Sequence, residues 1–247
     1  MPASKRPPKP RRPGRPPAGA NLRGRLLDAA IARFAERGIA ATTLRAIATA
    51  AGVTPALLHY YFNSKNSLVE TMLGERIAPF VAISVAPLLT PLPSPRATLR
   101  KFLETHMRNL AGHPWMPRLM VREVLSEGGS LREHMQAQFS AVLSPKVFML
   151  IVAAQQRDEI RTDLNPMLIG LSLISLAVFP FAAAPLWREV SKSMVRGAPD
   201  YEARIEHLQR MAAKSPAWER PEAEALIGHT LALFDSALEK PHAKSRR

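Results

Sequence analysis

No stretch of this chain limits its fold more than Thr43 to Phe62, where two short apolar-faced segments flank a single glycine. Two helices that cross steeply need a small residue at the crossing, a turn that accepts a left-handed conformation, and apolar residues on both inner faces. Ile47, Ala48, Ala51, Gly52, Val53, Leu58 and Tyr61 supply these in order. Ala48 permits the close approach and Gly52 takes the turn, while Ile47, Val53 and Leu58 form a small core. Thr42 and Thr43 offer an N-cap for a helix from Leu44, and Thr54 with Pro55 supplies a cap and a first helical residue for the next. The spacing predicts a helix-turn-helix.

The rest of the chain carries the helical period as well. From Asn21 to Arg37, Leu27, Ala30, Ile31 and Phe34 recur at i, i+3, i+4 and i+7, with Asn21 as the expected cap and Gly38 as the stop. Ser64 caps a helix that runs past Met72 and is expected to kink or stop at Pro79 or Pro87. Leu89 to Pro95, with three prolines, reads as a break and the best candidate for a domain boundary. Beyond it a stripe of Leu99, Phe102, Leu103, His106, Met107 and Leu110 ends at Pro114. Further helices are expected at Met116–Leu125, Leu131–Gln156, from Pro166 towards Trp187, and at Glu222–Leu238. Alternating strand patterns are missing, so the expectation is an all-α fold: a three-helix helix-turn-helix domain over 21–66 and a larger helical domain over 67–240. An arm over 1–20 and a tail over 241–247, both basic, flank them.

The formal net charge of +14 points to a polyanionic partner, and its placement says which. Before Leu26 stand Lys5, Arg6, Lys9, Arg11, Arg12, Arg15, Arg23 and Arg25 with no acidic residue, among prolines at 2, 7, 8, 10, 13, 16 and 17. Proline removes backbone donors and forbids a helix, so the arm is expected to be a disordered, extended cation. A solubilising tail is the blander reading. The absence of cysteine excludes disulfides, thiolate metal sites and cysteine nucleophiles. No apolar stretch follows the N-terminal charge, which argues against a secretory signal and for the cytoplasm. The chain offers no nucleophile with a nearby base, no phosphate-cradling glycine loop and no histidine pair at i, i+3 or i+4. An enzyme, a metal site and a cofactor are therefore not expected.

If Leu58, Tyr61 and Phe62 face inward, then Pro55, Ala56, His59 and Tyr60 face outward, toward a major groove. Thr54 at the helix start can bind a phosphate, as can His59 and Tyr60, with Lys65 adding a cation at the next helix. Base contacts fall to Arg45, Thr54, Pro55, Ala56 and Leu57; the last three offer only apolar surface. The double-stranded operator is expected to meet Thr43 as well. Arg12 and Arg15, in Arg12-Pro13-Gly14-Arg15-Pro16, lie in a motif similar to the core of an AT-hook that enters the minor groove.

These residues carry a family resemblance. Leu26 to Phe34, Gly38, Thr43, Ile47-Ala48, Ala51-Gly52-Val53-Thr54 and Leu58-His59-Tyr60-Tyr61-Phe62-Asn63-Ser64-Lys65 with Leu68 resemble the DNA-binding domain of the TetR/AcrR repressors, over about residues 21 to 78. His59 stands where that family usually has a phosphate-binding tyrosine, and Asn66 where it has glutamate. The resemblance implies a homodimer on a palindromic operator, an effector pocket in the C-terminal domain, and release from DNA when a small molecule binds. Pro117 to Glu123 followed by Gly128-Gly129 is similar to an AcrR- and CecR-like branch, whose effectors are varied and often apolar. An architectural DNA-binding protein and a membrane-associated regulator are the alternatives.

Leu164 to Trp187 is uncharged and long enough to span a bilayer. Asn165, two serines, Pro180 and Pro185 weigh against that, and a helix covered partly by a second subunit fits better. The resemblance assigns this stretch and the last helix to a four-helix dimer interface. For an apolar effector the candidates are Phe102, His106, Met107, Trp115, Met120, Phe139, Phe148, Met149 and Phe179, with Glu123 and His134 as inward-pointing polar groups.

Overall fold

Hydroxyl caps cut the first part of the chain into helices, as seen in a computed structural model that describes residues 18–138, 144–187, 190 and 220–239. Thr43 Oγ1 accepts from Ala46 N at 3.2 Å, Thr54 Oγ1 from Leu57 N at 3.3 Å and Ser64 Oγ from Ser67 N at 3.1 Å. Each satisfies an amide that the helix itself cannot, worth about 1 kcal/mol. The resulting helices are α1 (Ala18–Arg37), α2 (Leu44–Ala51), α3 (Pro55–Phe62) and α4 (Lys65–Met72). Gly52 adopts φ 68° and closes α2, as the turn requires. α1 starts at Ala18, so Asn21 lies inside it and not at its cap.

α4 does not stop at the proline. It passes through a π-type turn, Leu73–Ile77, into α5 (Ala78–Leu89), making one continuous helix of 25 residues. Pro79 has no N–H for the carbonyl of Glu75, and Arg76 Nη1 donates to that oxygen at 3.1 Å. The same π turn is fastened to α1: Arg23 holds both carboxylate oxygens of Glu75 at 2.7 Å, and Arg76 Nε reaches Asp28 at 2.9 Å. By length and composition this helix is apolar enough to cross a membrane, yet Leu68, Met72, Ile77, Phe80, Val85 and Leu88 pack into the protein core.

The second domain is built around α6 (Pro95–Gly112), which packs against α5, α9 (Ser144–Gln156), α10 (Pro166–Ala182) and α11 (Arg220–Leu238). The proline-rich stretch Leu89–Pro95 forms the turn between α5 and α6. Ser94 Oγ and Arg96 N both donate to Glu159 Oε2, at 2.7 and 2.8 Å, and Arg157 donates to the Pro93 carbonyl at 2.7 Å. α7 (Trp115–Met120) runs into a second π turn, Val121–Leu125, and α8 (Arg132–Gln138) follows. The single helix expected over Leu131–Gln156 appears as α8 and α9, with 139–143 outside the described residues.

No strand occurs among the described residues, and the all-α expectation holds. One apolar cluster runs from Leu26 to Leu238, and α7 packs on α1 to join the two domains. α10 buries Ile169, Leu173, Ala177, Val178 and Phe181 but leaves Met167, Leu168, Leu171 and Phe179 exposed.

Candidate nucleic-acid interface and effector cavity

α3 presents two faces. Leu58 and Phe62 are buried, whereas Pro55, Ala56, His59 and Tyr60 are exposed, with Leu57 and Tyr61 half-buried. Tyr60 is 80% exposed and meets only the edge of Tyr61 at 5.4 Å, so its hydroxyl is free to reach a phosphate. Thr54 spends its lone pair on Leu57 N and keeps its proton for an acceptor at the positive end of α3. Arg45, Thr43 and Thr54 are exposed alongside. The apolar residues exposed on this side of α3 are Pro55 and Ala56, with Leu57 half-buried.

Lys65, expected to add a cation for a phosphate, is engaged within the protein. Its Nζ donates to the carbonyls of Ile39, Ala40 and Thr42 at 3.0, 3.2 and 3.3 Å. An ammonium has three donors, and all are spent on the turn between α1 and α2. Lys65 therefore brackets that turn and does not project toward a phosphate. Arg23, counted with the arm, is likewise engaged: beyond its ion pair with Glu75 it lies 5.5 Å over the ring of Phe62. The pairing raises the Arg23 pKa and lowers that of Glu75. Arg12, Arg15 and Phe139 fall outside the described residues.

In the larger domain a small cavity of about 30 Å3 lies between α5, α6, α7 and α8. Phe102, His106 and Met120, expected for the effector, line it together with Phe80, Ser84 and Met135. Its polar element is one buried network. His106 Nδ1 lies 3.0 Å from Ser84 Oγ, and Asn109 Nδ2 donates to the same oxygen at 2.9 Å and to the Phe80 carbonyl at 2.8 Å. His106 stacks on Phe102 at 5.9 Å. Burial strips water from its cation and lowers its pKa to about 4, so the ring is neutral at pH 7.

The remaining effector candidates lie elsewhere. Met107 is buried in the core and does not line the cavity, and Trp115 stands behind Phe80 at 6.5 Å. Phe148 and Phe179 are exposed, the former in an open apolar groove with Met167, Leu171 and Ile174, because α10 is apolar all round and its outward face cannot be told from its inward one by period. Glu123 is buried but does not line the cavity; it accepts from Ile39 N in the turn between α1 and α2. Ser84 and Asn109 were missed; Ser84 is the one polar residue in the run Ala82-Ile83-Ser84-Val85-Ala86, which is the signal that marks it. Among the described residues no group of three or more His, Cys, Asp or Glu has the spacing of a metal site.

The described residues thus form a helix-turn-helix head joined by an unbroken helix to a helical domain with a small apolar cavity, the architecture of a DNA-binding class of protein. Residues 26–72 match the profile described as bacterial regulatory proteins, tetR family, and residues 95–212 that of a tetracyclin repressor-like C-terminal domain. The chain belongs to the TetR family. It is 51% identical over 51 residues to the transcriptional repressor KstR2 of Rhodococcus jostii, a match covering 21% of this chain and 25% of that protein. The chain thus aligns with about a quarter of the length of such curated relatives. To the transcriptional regulator RutR of Escherichia coli it is 23% identical over 188 residues, 75% of this chain and 86% of that one. Its fold matches the structure of the ketosteroid transcriptional regulator KstR2 of Mycobacterium tuberculosis, with TM-score 0.64, 19% identity, and 89% and 95% of the two chains covered. It also matches FadR from Bacillus subtilis in complex with stearoyl-CoA, with TM-score 0.57, 16% identity, and 87% and 99% covered.

Proposed function

We propose that this chain is a ligand-responsive transcriptional repressor that binds a palindromic operator as a homodimer and leaves it when a small apolar molecule enters the cavity. One observation carries the reading: the helix from Lys65 to Leu89 brackets the DNA-reading head at its first residue and supplies Phe80 and Ser84 to the cavity wall. A cavity of about 30 Å3 holds no more than a water, whereas small-molecule sites need roughly 300 Å3 or more. An effector therefore fits only if α5, α6 and α7 part. A ligand that favours the parted state over the closed one shifts the population, and one with equal affinity for both shifts nothing.

The head contacts DNA through Thr43, Arg45, Thr54, Pro55, Ala56, Leu57, His59 and Tyr60, with Arg12 and Arg15 of the arm in the minor groove. Two heads enter successive major grooves when they stand about 34 to 36 Å apart. The exposed apolar face of α10, with Leu233 of α11, is the surface a second copy covers. The effector is apolar, since the cavity wall is almost wholly carbon and its two polar residues, Ser84 and an uncharged His106, are bonded to each other. The names of the ketosteroid regulator and of FadR with its acyl-CoA accord with an apolar ligand. The protein acts in the cytoplasm, without a membrane partner, a cofactor or an enzymatic step.

Titration of a labelled promoter fragment from beside the chain's own gene, with unlabelled random DNA as competitor at two salt concentrations, tests the reading. Specific complexes that persist in excess random DNA support it. Equal competition by random DNA leaves only non-specific phosphate binding and refutes it.

A further inference from the structure

Glu123 is a carboxylate with 4% of its surface exposed, and the effector cavity does not use it. Removing such a charge from water is costly unless strong donors replace the solvent. Two backbone amides do so, one from each domain. Oε1 accepts from Ile39 N at 2.9 Å, in the turn between α1 and α2, and Oε2 from Ser130 N at 2.9 Å, in the turn before α8. Two glycines make the room. Gly38 has φ +87°, and a Cβ there would stand 3.0 Å from Oε1; a Cβ on Gly129 would stand 2.3 Å from the Glu123 carbonyl oxygen.

The surroundings of this clasp run in both directions. On the head side, the Ile39 carbonyl accepts from Lys65 Nζ at 3.0 Å, so the residue gripped by Glu123 is also gripped by the first residue of α4. On the other side, Met120 lies one helical turn before Glu123, and Leu131, whose N–H donates to the Glu123 carbonyl at 3.1 Å, lies one turn before Met135. Met120 and Met135 both line the cavity. The segment between them, a π turn and a tight turn, thus has both ends in the cavity wall and its middle fixed to the DNA-reading head.

We infer that Glu123 is a positioning residue through which the state of the cavity sets the placement of the helix-turn-helix, by way of Ile39 and Lys65. It touches neither DNA nor effector. An occupant that parts Met120 from Met135 displaces the π turn and, through the carboxylate, the turn that aims α2 and α3. The inference rests on the repressor reading above; the competing route is the continuous helix Lys65–Leu89 alone.

A double-mutant cycle on the full chain decides between them. Val81 of α5 also lines the cavity, so Val81→Phe fills it and stands in for an occupant, while Glu123→Ala removes the clasp. Operator affinity by fluorescence anisotropy is expected to fall about tenfold on Val81→Phe when Glu123 is present, within the usual range of coupling between sites, and less than about twofold when Glu123→Ala is also present. Glu123→Gln, which keeps one acceptor oxygen, is expected to give an intermediate loss of coupling. An equal fall in both backgrounds, or none from Val81→Phe in either, overturns the inference. Hydrogen exchange of the Ile39 amide without DNA gives a readout that does not depend on operator choice. Faster exchange in Val81→Phe supports the inference even if the chain proves indifferent to sequence and the repressor reading fails. Unchanged exchange overturns it. Met135→Phe replaces Val81→Phe in the same cycle if the latter does not give the far-ultraviolet spectrum of the wild type.

Discussion

The head and the larger domain keep their polar groups in opposite ways. In the head, Thr43, Thr54 and Ser64 each bond an amide three residues on, and the outer side chains of α3 stay in water. In the larger domain a set of polar groups is buried and bonded across the fold, His106 to Ser84 and Asn109 to Phe80, with a small void beside them. Local bonds keep a shape whatever its surroundings do. Long-range bonds around a void keep it only while the surrounding helices stay together. The contrast is what a reader and a switch need, and Glu123, bonded to Ile39 from 84 residues away, sits where one meets the other.

The contrast breaks most severely at Gly129. A methyl group there meets the Glu123 backbone at 2.3 Å, with no flexible side chain to give way. Gly129→Ala is expected to cost about 3 kcal/mol in denaturant unfolding and to expose the Ile39 amide to exchange. Wild-type stability in that variant would mean the tight turn is not a constraint.

Next comes acid. The His106 pKa lies at about 4, below its ordinary 6.5, because burial disfavours the cation. The unfolded chain therefore binds this proton first, and the stability that neutral His106 preserves is full above pH 6.5 and drains as pH falls toward 4. The loss amounts to roughly 3 kcal/mol. Unfolding of wild type and His106→Gln across that window isolates the effect, and parallel pH curves would remove His106 from the core network.

Lys65 and Tyr60 sharpen the division of labour within the head. Lys65→Met leaves the carbonyls of Ile39, Ala40 and Thr42 without their charged donor and is expected to cost about 2 kcal/mol of stability. Tyr60→Ala is expected to leave stability alone and to weaken binding to all DNA sequences equally. Thermal unfolding beside anisotropy separates the two; the reverse pattern would return Lys65 to the phosphates. Thr54→Ala has the smallest expected effect, about 1 kcal/mol, from the lost cap on α3.

These residues also show how far the sequence could be read. The helix-turn-helix was legible because its determinants lie within a few residues of one another: caps at Thr43 and Thr54, the turn at Gly52, and Leu58 and Phe62 one turn apart. The partners of Lys65 and Glu123 were not legible because they are distant in the chain, and a charge in a sequence gives no sign of whether it meets water or a buried backbone group. Pro79 gave no stop because Arg76 serves the carbonyl it abandons, a contact no periodicity encodes. Aromatic residues at helical spacing were split by the fold, Phe102 to the cavity and Phe179 to the surface, since α10 is apolar on every side.

If the dimer works as proposed, an occupant of the cavity changes the spacing of the two heads. The chain has no cysteine, so Tyr60→Cys gives a single spin-labelling site on the outer face of each α3 in the proposed dimer. Pulsed dipolar distances between the two labels are expected to centre on the order of 35 Å, the spacing of successive major grooves, and to move away from that value when Val81→Phe is added. Distance distributions that coincide with and without Val81→Phe would contradict the claim.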